Sequence, residues 1–367
     1  SLFVRFCDGA YHWGNETSHN ATNIMSVRLF YPEPCAEVSV HPIFHYRHPP
    51  ASRGGGLFRD IRYSFFKEAE TKDAASADAL VLVNNFSKEP DEKIREYIRQ
   101  YADQAEELHK PLYIFSCGDF TDSLRFDPRV WVFRQSLYKS AVGPRDICMP
   151  TTTEDPPQEM LFMRDKQEKP TVSFCGMGGF DSWRGWVKYY SKNLWYECIA
   201  ILDPVVRARK LGVYWRRAMM RACEHSSLVK INFIIRKSFS GHAKSIELDP
   251  AQARREYLET TANADFVLSP KGDGNYSNRF LKTLAFGRIP VLIDTDVVLP
   301  LENEVEYSKI IVRVPMKKVA DTPRYIRDFY DALTEEEWRS RQKLARDTFE
   351  KYLKQDTFFR HFFTEKF

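Results

Sequence analysis

Residues 271–293, KGDGNYSNRFLKTLAFGRIPVLI, read as a polar glycine-rich loop, a short amphipathic helix and a buried strand. Ahead of them Ala264, Phe266, Val267 and Leu268 supply an incoming strand, which Pro270 and Gly272 end. Ser277 is placed to N-cap a helix carrying Phe280, Leu281, Leu284 and Ala285 on one face. Gly287 stands where a left-handed C-cap stops that helix. Ile289 to Ile293 is a continuous apolar run, the pattern of a fully buried parallel strand. The spacing predicts a βαβ unit whose helix N-terminus is dressed with Lys271, Asp273, Asn275, Ser277 and Arg279. Free backbone N–H groups there, beside two cations, favour a phosphate-bearing ligand.

A chain of 367 residues is too long for one ordinary α/β core and suits two domains. Hydrophobic content of 43% and charged content of 28% are those of a soluble globular protein. The net charge of +4 gives no polyelectrolyte signal for nucleic acid. Cys7, Cys35, Cys117, Cys148, Cys175, Cys198 and Cys223 are odd in number, widely spaced and free of CxxC. That pattern argues against a disulfide framework or a structural zinc site and predicts buried thiols. Sequons occur at Asn15, Asn20, Asn85 and Asn275; a glycan on the last would disrupt the phosphate loop. No stretch reaches transmembrane length and no signal peptide is seen at the N-terminus. The chain is expected in the cytoplasm or peripheral to a membrane, or in the Golgi lumen if an N-terminal anchor has been removed.

The first half alternates short apolar strands with helices. Ala79–Val83, Pro111–Phe115 and Val130–Phe133 read as strands, and Asp91–His109 as an amphipathic helix. Between Pro150 and Lys169 the composition turns to TTTEDPPQ and MRDKQEK, the best interdomain linker. A second series follows: Thr171–Cys175 and Val229–Ile235 as strands, then a helix opened by Asp249 and Pro250. Thr334 and Glu337 form a capping box for a helix through about Lys354. The reading is α/β with two Rossmann-like domains facing a cleft. The N-terminal one covers 1–155, the C-terminal one 156–335, and a C-terminal helix and tail cover 336–367.

The strand at 171–175 runs directly into Gly176, Met177, Gly178 and Gly179, with Arg184 close behind. Glycines there permit close approach of a ligand. They do not form GxGxxG, and no acidic residue lies at the spacing a dinucleotide ribose requires, which disfavours a dehydrogenase or epimerase. Both glycine loops belong at carboxyl ends of strands in one sheet, where open α/β folds bind ligands. Arg184, Lys271 and Arg279 are candidates to neutralise a diphosphate.

FVLSPKGDGNYSNRFLKTLAFGRIPVLID, followed by Leu299 and Pro300, resembles the signature of exostosin-like glycosyltransferases, family 47, of compact microbial or viral type. Weaker agreement extends to NFIIRKSF (232–239), FRQSLYKS (133–140) and the glycine segment at 171–179. The resemblance implies a GT-B architecture with the C-terminal helix returning to the N-terminal domain. It implies a nucleotide-sugar donor, a UDP-sugar, in the C-terminal domain and a glycan or glycolipid acceptor on the N-terminal one. It also implies inversion without an essential metal or other cofactor. Arg279 and Lys271 are then the leaving-group cations. Gly176, Gly178, Gly179, Arg184, Gly272, Asp273, Gly274, Asn275, Ser277 and Lys282 are the donor contacts, and Glu302 is one by analogy.

Lys282 departs from the family, which has a glutamate there, and lysine cannot accept hydrogen bonds from ribose hydroxyls. This feature raises the alternative of a non-catalytic partner subunit that stabilises an active transferase. Asp294-Thr295-Asp296 looks like a metal-binding DxD, although following a buried strand it fits better as a loop cap. Asp119, at the end of a strand, and Asp8 are candidate bases. His41, His45 and His48, in HPIFHYRHPP, are too irregular for a metal site and are expected in a polar loop or along the acceptor groove. Arg207, Arg209, Lys210, Arg216, Arg217 and Arg221 read as a solvated face or as a contact for an anionic membrane or lipid pyrophosphate. The tail, with Phe358, Phe359, Phe362, Phe363 and Phe367, is expected to dock on the N-terminal domain, with dipping into lipid as the alternative.

Overall fold

A computed structural model describes residues 27–49, 64–119, 126–180, 182–237 and 249–367. The first sheet is built from β1 (Leu29–Phe30), β2 (Glu70–Thr71), β3 (Ala79–Asn85), β4 (Leu112–Ser116), β5 (Trp131–Arg134) and β6 (Asp146–Cys148). Helices α1 (Phe65–Glu68) and α2 (Glu92–Glu107) accompany it. The second sheet contains β7 (Thr171–Met177), β8 (Lys230–Arg236), β9 (Phe266–Leu268), β10 (Ile289–Asp294) and β11 (Val312–Pro315). Around it lie α3 (Trp183–Ile199), α4 (Gly212–Glu224), α5 (Pro250–Ala262), α6 (Asn278–Ala285), α7 (Thr322–Asp331) and α8 (Glu335–Thr348). Helix α9 (Gln355–Lys366) closes the chain.

Every pairing within both sheets is parallel. The second sheet runs β11-β10-β9-β7-β8. Its first strand thus lies between its second and its third, which puts a topological switch point between β7 and β9. At a switch point the connections leave to opposite faces and open a crevice at the carboxyl ends of the strands. The first sheet, β2-β1-β3-β4-β5-β6, repeats that logic between β1 and β3. Two Rossmann-like domains joined in this way make a GT-B arrangement.

The expected caps are in place. Asp91 accepts from the Ile94 amide at 3.0 Å to open α2. Asp249 does the same for α5 with Gln252 at 2.9 Å. Thr334 and Glu337 close the capping box on α8, although α8 ends at Thr348 in a π-helical turn, short of Lys354. Gly287 has φ of 65°, the left-handed value a C-cap requires. Arg288, fully buried beside it, donates to the carbonyls of Ala262 and Phe162 and to Gln342. It ties the crossing segment, α5 and α8 together. Among the described residues Cys35, Cys117, Cys148, Cys175, Cys198 and Cys223 are free thiols; Cys198, contrary to the buried expectation, is exposed.

The chain crosses from the first sheet to the second after Met149 and returns after Leu353. On its return α9 inserts Phe358, Phe359 and Phe363 into the first sheet's core, against Phe66, Phe115 and Phe133. Asp356 accepts from the amides of Ser64 and Phe65, at 2.8 and 2.9 Å, and so holds the start of α1. Phe358, Phe359 and Phe363 are therefore core and not lipid contacts, whereas Phe362 is partly buried and Phe367 is exposed at the end of the chain.

Phe359 is fully buried against the rings of Phe66, Phe115 and Phe133 and those of its helix neighbours Phe358 and Phe363. Phe359→Ala should lower stability by about 3–5 kcal/mol, seen as a lower urea midpoint at unchanged slope. A loss below about 1 kcal/mol would mean that α9 is not part of the cooperative core.

Candidate functional site

The loop from β9 to α6 is wedged between the two sheets. Gly272 donates to the Tyr276 carbonyl at 2.8 Å, which folds the loop on itself. A Cβ on Gly274 would stand 2.9 Å from both Asp119 Cα and Ser136 Oγ, so only glycine passes there. The Asn275 side chain is fully buried and wholly committed. It donates to the carbonyls of Leu137 and Thr295, at 2.9 and 3.1 Å, and accepts from the Thr295 hydroxyl at 2.8 Å. Its backbone N–H donates to Ser136 Oγ at 2.7 Å. Asn275 is thus a clamp between domains; this corrects its expected role as a donor contact and leaves no room for a glycan.

Lys271, at the foot of this loop, is buried. Its ammonium donates to the Tyr138 hydroxyl at 2.9 Å and to the Ala208 carbonyl at 3.0 Å. Burial brings its pKa down to about 7, against the opposing pull of Asp273. Close by, α4 begins with Gly212, where a Cβ would stand 2.7 Å from the Lys271 carbonyl.

Across the switch point, the end of β7 is held by three guanidinium groups on its carbonyls. Arg279 donates to Cys175 at 3.0 Å, Arg216 to Met177 at 3.3 Å and Arg217 to Gly178 at 3.1 Å. Arg279 also lies over the Phe174 ring at 4.3 Å. Gly176 makes this possible: its φ is +151°, and a Cβ there would meet Arg279 Nη2 at 2.8 Å. Gly178 is equally hemmed in, by Ile235 and Met220, while Gly179 faces Trp186. The Nε groups of Arg216 and Arg279 are buried and lack a hydrogen-bond partner among the described residues.

Electrostatically these groups crowd one another. Burial lowers the Arg216 pKa to about 10, and the charge of Arg279 pushes it the same way, against Asp273 and Asp119. Burial lowers that of Lys282 as well; Glu154 opposes this and Arg279 adds to it. Lys282 lies over the Tyr257 ring at 5.1 Å. A cluster of partly buried cations facing few carboxylates suits a multiply charged anion.

The remaining candidates divide. Ser277 holds the N-cap position of α6 in extended conformation but makes no side-chain cap hydrogen bond. Asp273 is exposed at the mouth of the loop. Asp119 is exposed after β4, and its carboxylate accepts from the Gly274 amide at 3.2 Å, on the side of the cleft opposite α6. Arg184 is exposed on the first turn of α3 with its guanidinium over Trp183 at 5.7 Å, outside the cluster of guanidiniums at β7. The Glu302 carboxylate is occupied by Lys139 at 3.0 Å and Arg313 at 2.8 Å, so it serves as an ion pair across the joint rather than a sugar contact. Those partners hold its pKa low although burial alone would raise it.

Asp296 accepts from the Ser140 amide at 2.9 Å, which makes it a cap across the joint. His41 is buried, stacked on Phe115 at 4.7 Å, and its Nδ1 accepts from the Ile43 amide. Burial depresses its pKa to about 3, so it is a core residue rather than part of an acceptor groove. Asp8 lies outside the described residues.

Sequence reasoning missed Arg216, Arg217, Ser136, Tyr138 and Tyr257 as site residues. Ser136 and Tyr138 lie inside the segment FRQSLYKS, already marked by its resemblance. A small cavity of about 50 Å³ also lies at the joint, lined by Met149, Phe280, Leu281, Leu292, Val297 and Leu299 together with Lys271, Asn275 and Ser277. None of the three arginines lines it, and its size suits a packing gap and not a diphosphate.

Comparison with known proteins gives the family of the chain. The Exostosin GT47 domain matches residues 131–329. A curated relative, an Exostosin-1 homolog of Caenorhabditis elegans, is 33% identical over 73 residues, 20% of this chain and 19% of that protein. The match therefore spans about a fifth of that relative's length. Among solved structures, WaaG, a glycosyltransferase involved in lipopolysaccharide biosynthesis, aligns over 81% of this chain and 87% of its own at 11% identity and a TM-score of 0.33. The lipopolysaccharide outer core galactosyltransferase WaaB aligns over 82% of this chain and 78% of its own at 12% identity and a TM-score of 0.35.

The lowered pKa of Lys271 has a thermodynamic consequence. Between pH 7 and 10.5 the unfolded chain keeps this proton and the folded chain releases it. Stability from this group therefore rises with pH across that window and levels off above it. In Lys271→Met the rise of melting temperature with pH should be flatter than in the parent. Parallel curves for the two proteins would contradict the assignment.

Proposed function

The chain belongs to the exostosin GT47 glycosyltransferase family, and from that premise we propose that it is an inverting transferase. It moves a sugar from a nucleotide-sugar donor, a UDP-sugar, to a glycan or glycoconjugate acceptor. One observation carries this reading: three guanidinium groups and the terminus of α6 converge on the switch point between β7 and β9. The donor diphosphate lies across this crevice, with Arg279 and Arg216 turned toward its oxygens and Lys271 close by.

The chemistry is a single displacement. The acceptor hydroxyl oxygen attacks the anomeric carbon while the bond from that carbon to the diphosphate oxygen breaks. Charge develops on the leaving diphosphate, where Arg279, Arg216, Lys271 and the first amides of α6 stabilise it. These cations supply the charge compensation that a metal would otherwise give. Asp119, on the opposing domain, takes the hydroxyl proton. Binding a diphosphate next to Lys271 favours its protonated form, so its ordinary position near neutrality leaves it free to respond.

A second reading is favoured by Lys282. A lysine where the family has a glutamate cannot accept hydrogen bonds from ribose hydroxyls, which fits a partner subunit that keeps the fold without turnover.

Titration with a panel of UDP-, GDP- and CMP-sugars tests the proposal. Binding by one of them, with slow donor hydrolysis or transfer, is expected. Arg279→Ala should reduce turnover by at least about a hundredfold, and Arg279→Lys by less. No binding by any donor, with Arg279→Ala indistinguishable from the parent, would sink the claim. Binding without hydrolysis or transfer would favour the partner-subunit reading.

A further inference from the structure

Helix α3 turns an apolar face outward. At 100° per residue, Trp183, Val187, Tyr190 and Leu194 fall on one stripe, and Cys198 continues it. Trp183 is 70% and Leu194 66% exposed. In the turn that follows, Ile201 and Leu202 stand out further, Leu202 being 89% exposed. The side that packs lies roughly 100° round the helix from this stripe: Tyr189 and Asn193 are buried, and Trp186 lies between Gly179 and the Arg217 guanidinium. Large apolar side chains lined up in solvent over a whole helix are uncommon in a protein that needs no partner there.

The exposed charges on this helix are mostly cationic. Arg184, Lys188 and Lys192 are exposed and lie progressively farther round the helix from the stripe, on the side away from the packed face. On the other flank Glu197 is neutralised by Arg207 at 2.9 Å and by Lys210. No carboxylate lies on α3 before Glu197. This helix is not built to span a bilayer, and no described helix is long and apolar enough to do so. Its composition is that of a helix lying in the interface, with Trp and Tyr at headgroup depth and lysines reaching up to phosphates. Glu197 is already paired and Asp203 caps its own turn, so cations outnumber carboxylates on this face, which an anionic bilayer complements.

We propose that the outward face of α3, with Ile201 and Leu202 after it, is a membrane-docking surface for anionic lipid. The protein lies on the bilayer by this face, and the β7 turn, touched by α3 from within through Trp186, is held close to the membrane plane. The cations at 207–221 contribute less than the sequence suggests, because Arg216 and Arg217 are turned inward onto β7.

Flotation of the intact chain with vesicles tests this independently of any transferase activity. The chain should float with phosphatidylcholine vesicles containing phosphatidylserine and far less with phosphatidylcholine alone, and added salt should release it. Lys188→Glu with Lys192→Glu should weaken partitioning by at least about tenfold. Trp183→Glu with Leu194→Glu should abolish it at unchanged melting temperature. Leu202→Glu alone, at the most exposed site, should also weaken it and guards against a folding defect. No flotation with either vesicle, or flotation that all these variants retain, would overturn the proposal. Concentration-dependent self-association that Leu194→Glu removes, without vesicle binding, would instead assign the face to a second copy of this chain.

Discussion

The clamp at Asn275 is the constraint on which the rest of this structure depends. A fully buried amide must satisfy its donors and its acceptor inside the protein, and a lost partner costs more than an ordinary hydrogen bond. Asn275 meets that demand by reaching both domains, to Leu137 on one side and Thr295 on the other. The loop around it is thereby fixed, and the loop fixes what it carries. Lys271 is pinned at its start and α6 begins at its end, so Arg279 is delivered to the carboxyl end of β7. Gly274 and Gly176 are among the places where this close fit leaves no room for a side chain.

The second consequence is electrostatic. Burying like charges together is unfavourable, and here that cost falls on Arg216, Arg279, Lys271 and Lys282 at once. Backbone carbonyls of β7 compensate three of the guanidinium groups in part, since a neutral carbonyl accepts a hydrogen bond without cancelling a charge. A dianion would offset the remainder. Fold and chemistry are therefore linked: the glycines that let the arginines approach the strand are those that leave the crevice open to a ligand.

Much of the fold was legible from local rules. Asp91, Asp249, Thr334 and Gly287 mark helix ends because capping depends on a single residue's backbone and side chain. Strands such as β3 and β10 announced themselves as apolar runs. By contrast β1 and β2 span two residues each, too short for any periodicity to show. Helix α3 was missed because its aromatic residues lie on both its packed and its outward faces, which blurs the 3.6-residue repeat. At the site, residue type revealed cations and glycines but not their partners. Asn275 and Glu302 looked like ligand contacts because the sequence does not show which polar groups the protein satisfies internally. Arg216 and Arg217 looked like a solvated face for the same reason.

The central claim is that the donor diphosphate occupies the β7–β9 switch point. A crystal structure with uridine diphosphate tests it most directly. The account predicts diphosphate oxygens within about 3 Å of the guanidinium groups of Arg279 and Arg216 and of the first amides of α6. A diphosphate ordered elsewhere, with both arginines still bound only to the carbonyls of Cys175 and Met177, would contradict it.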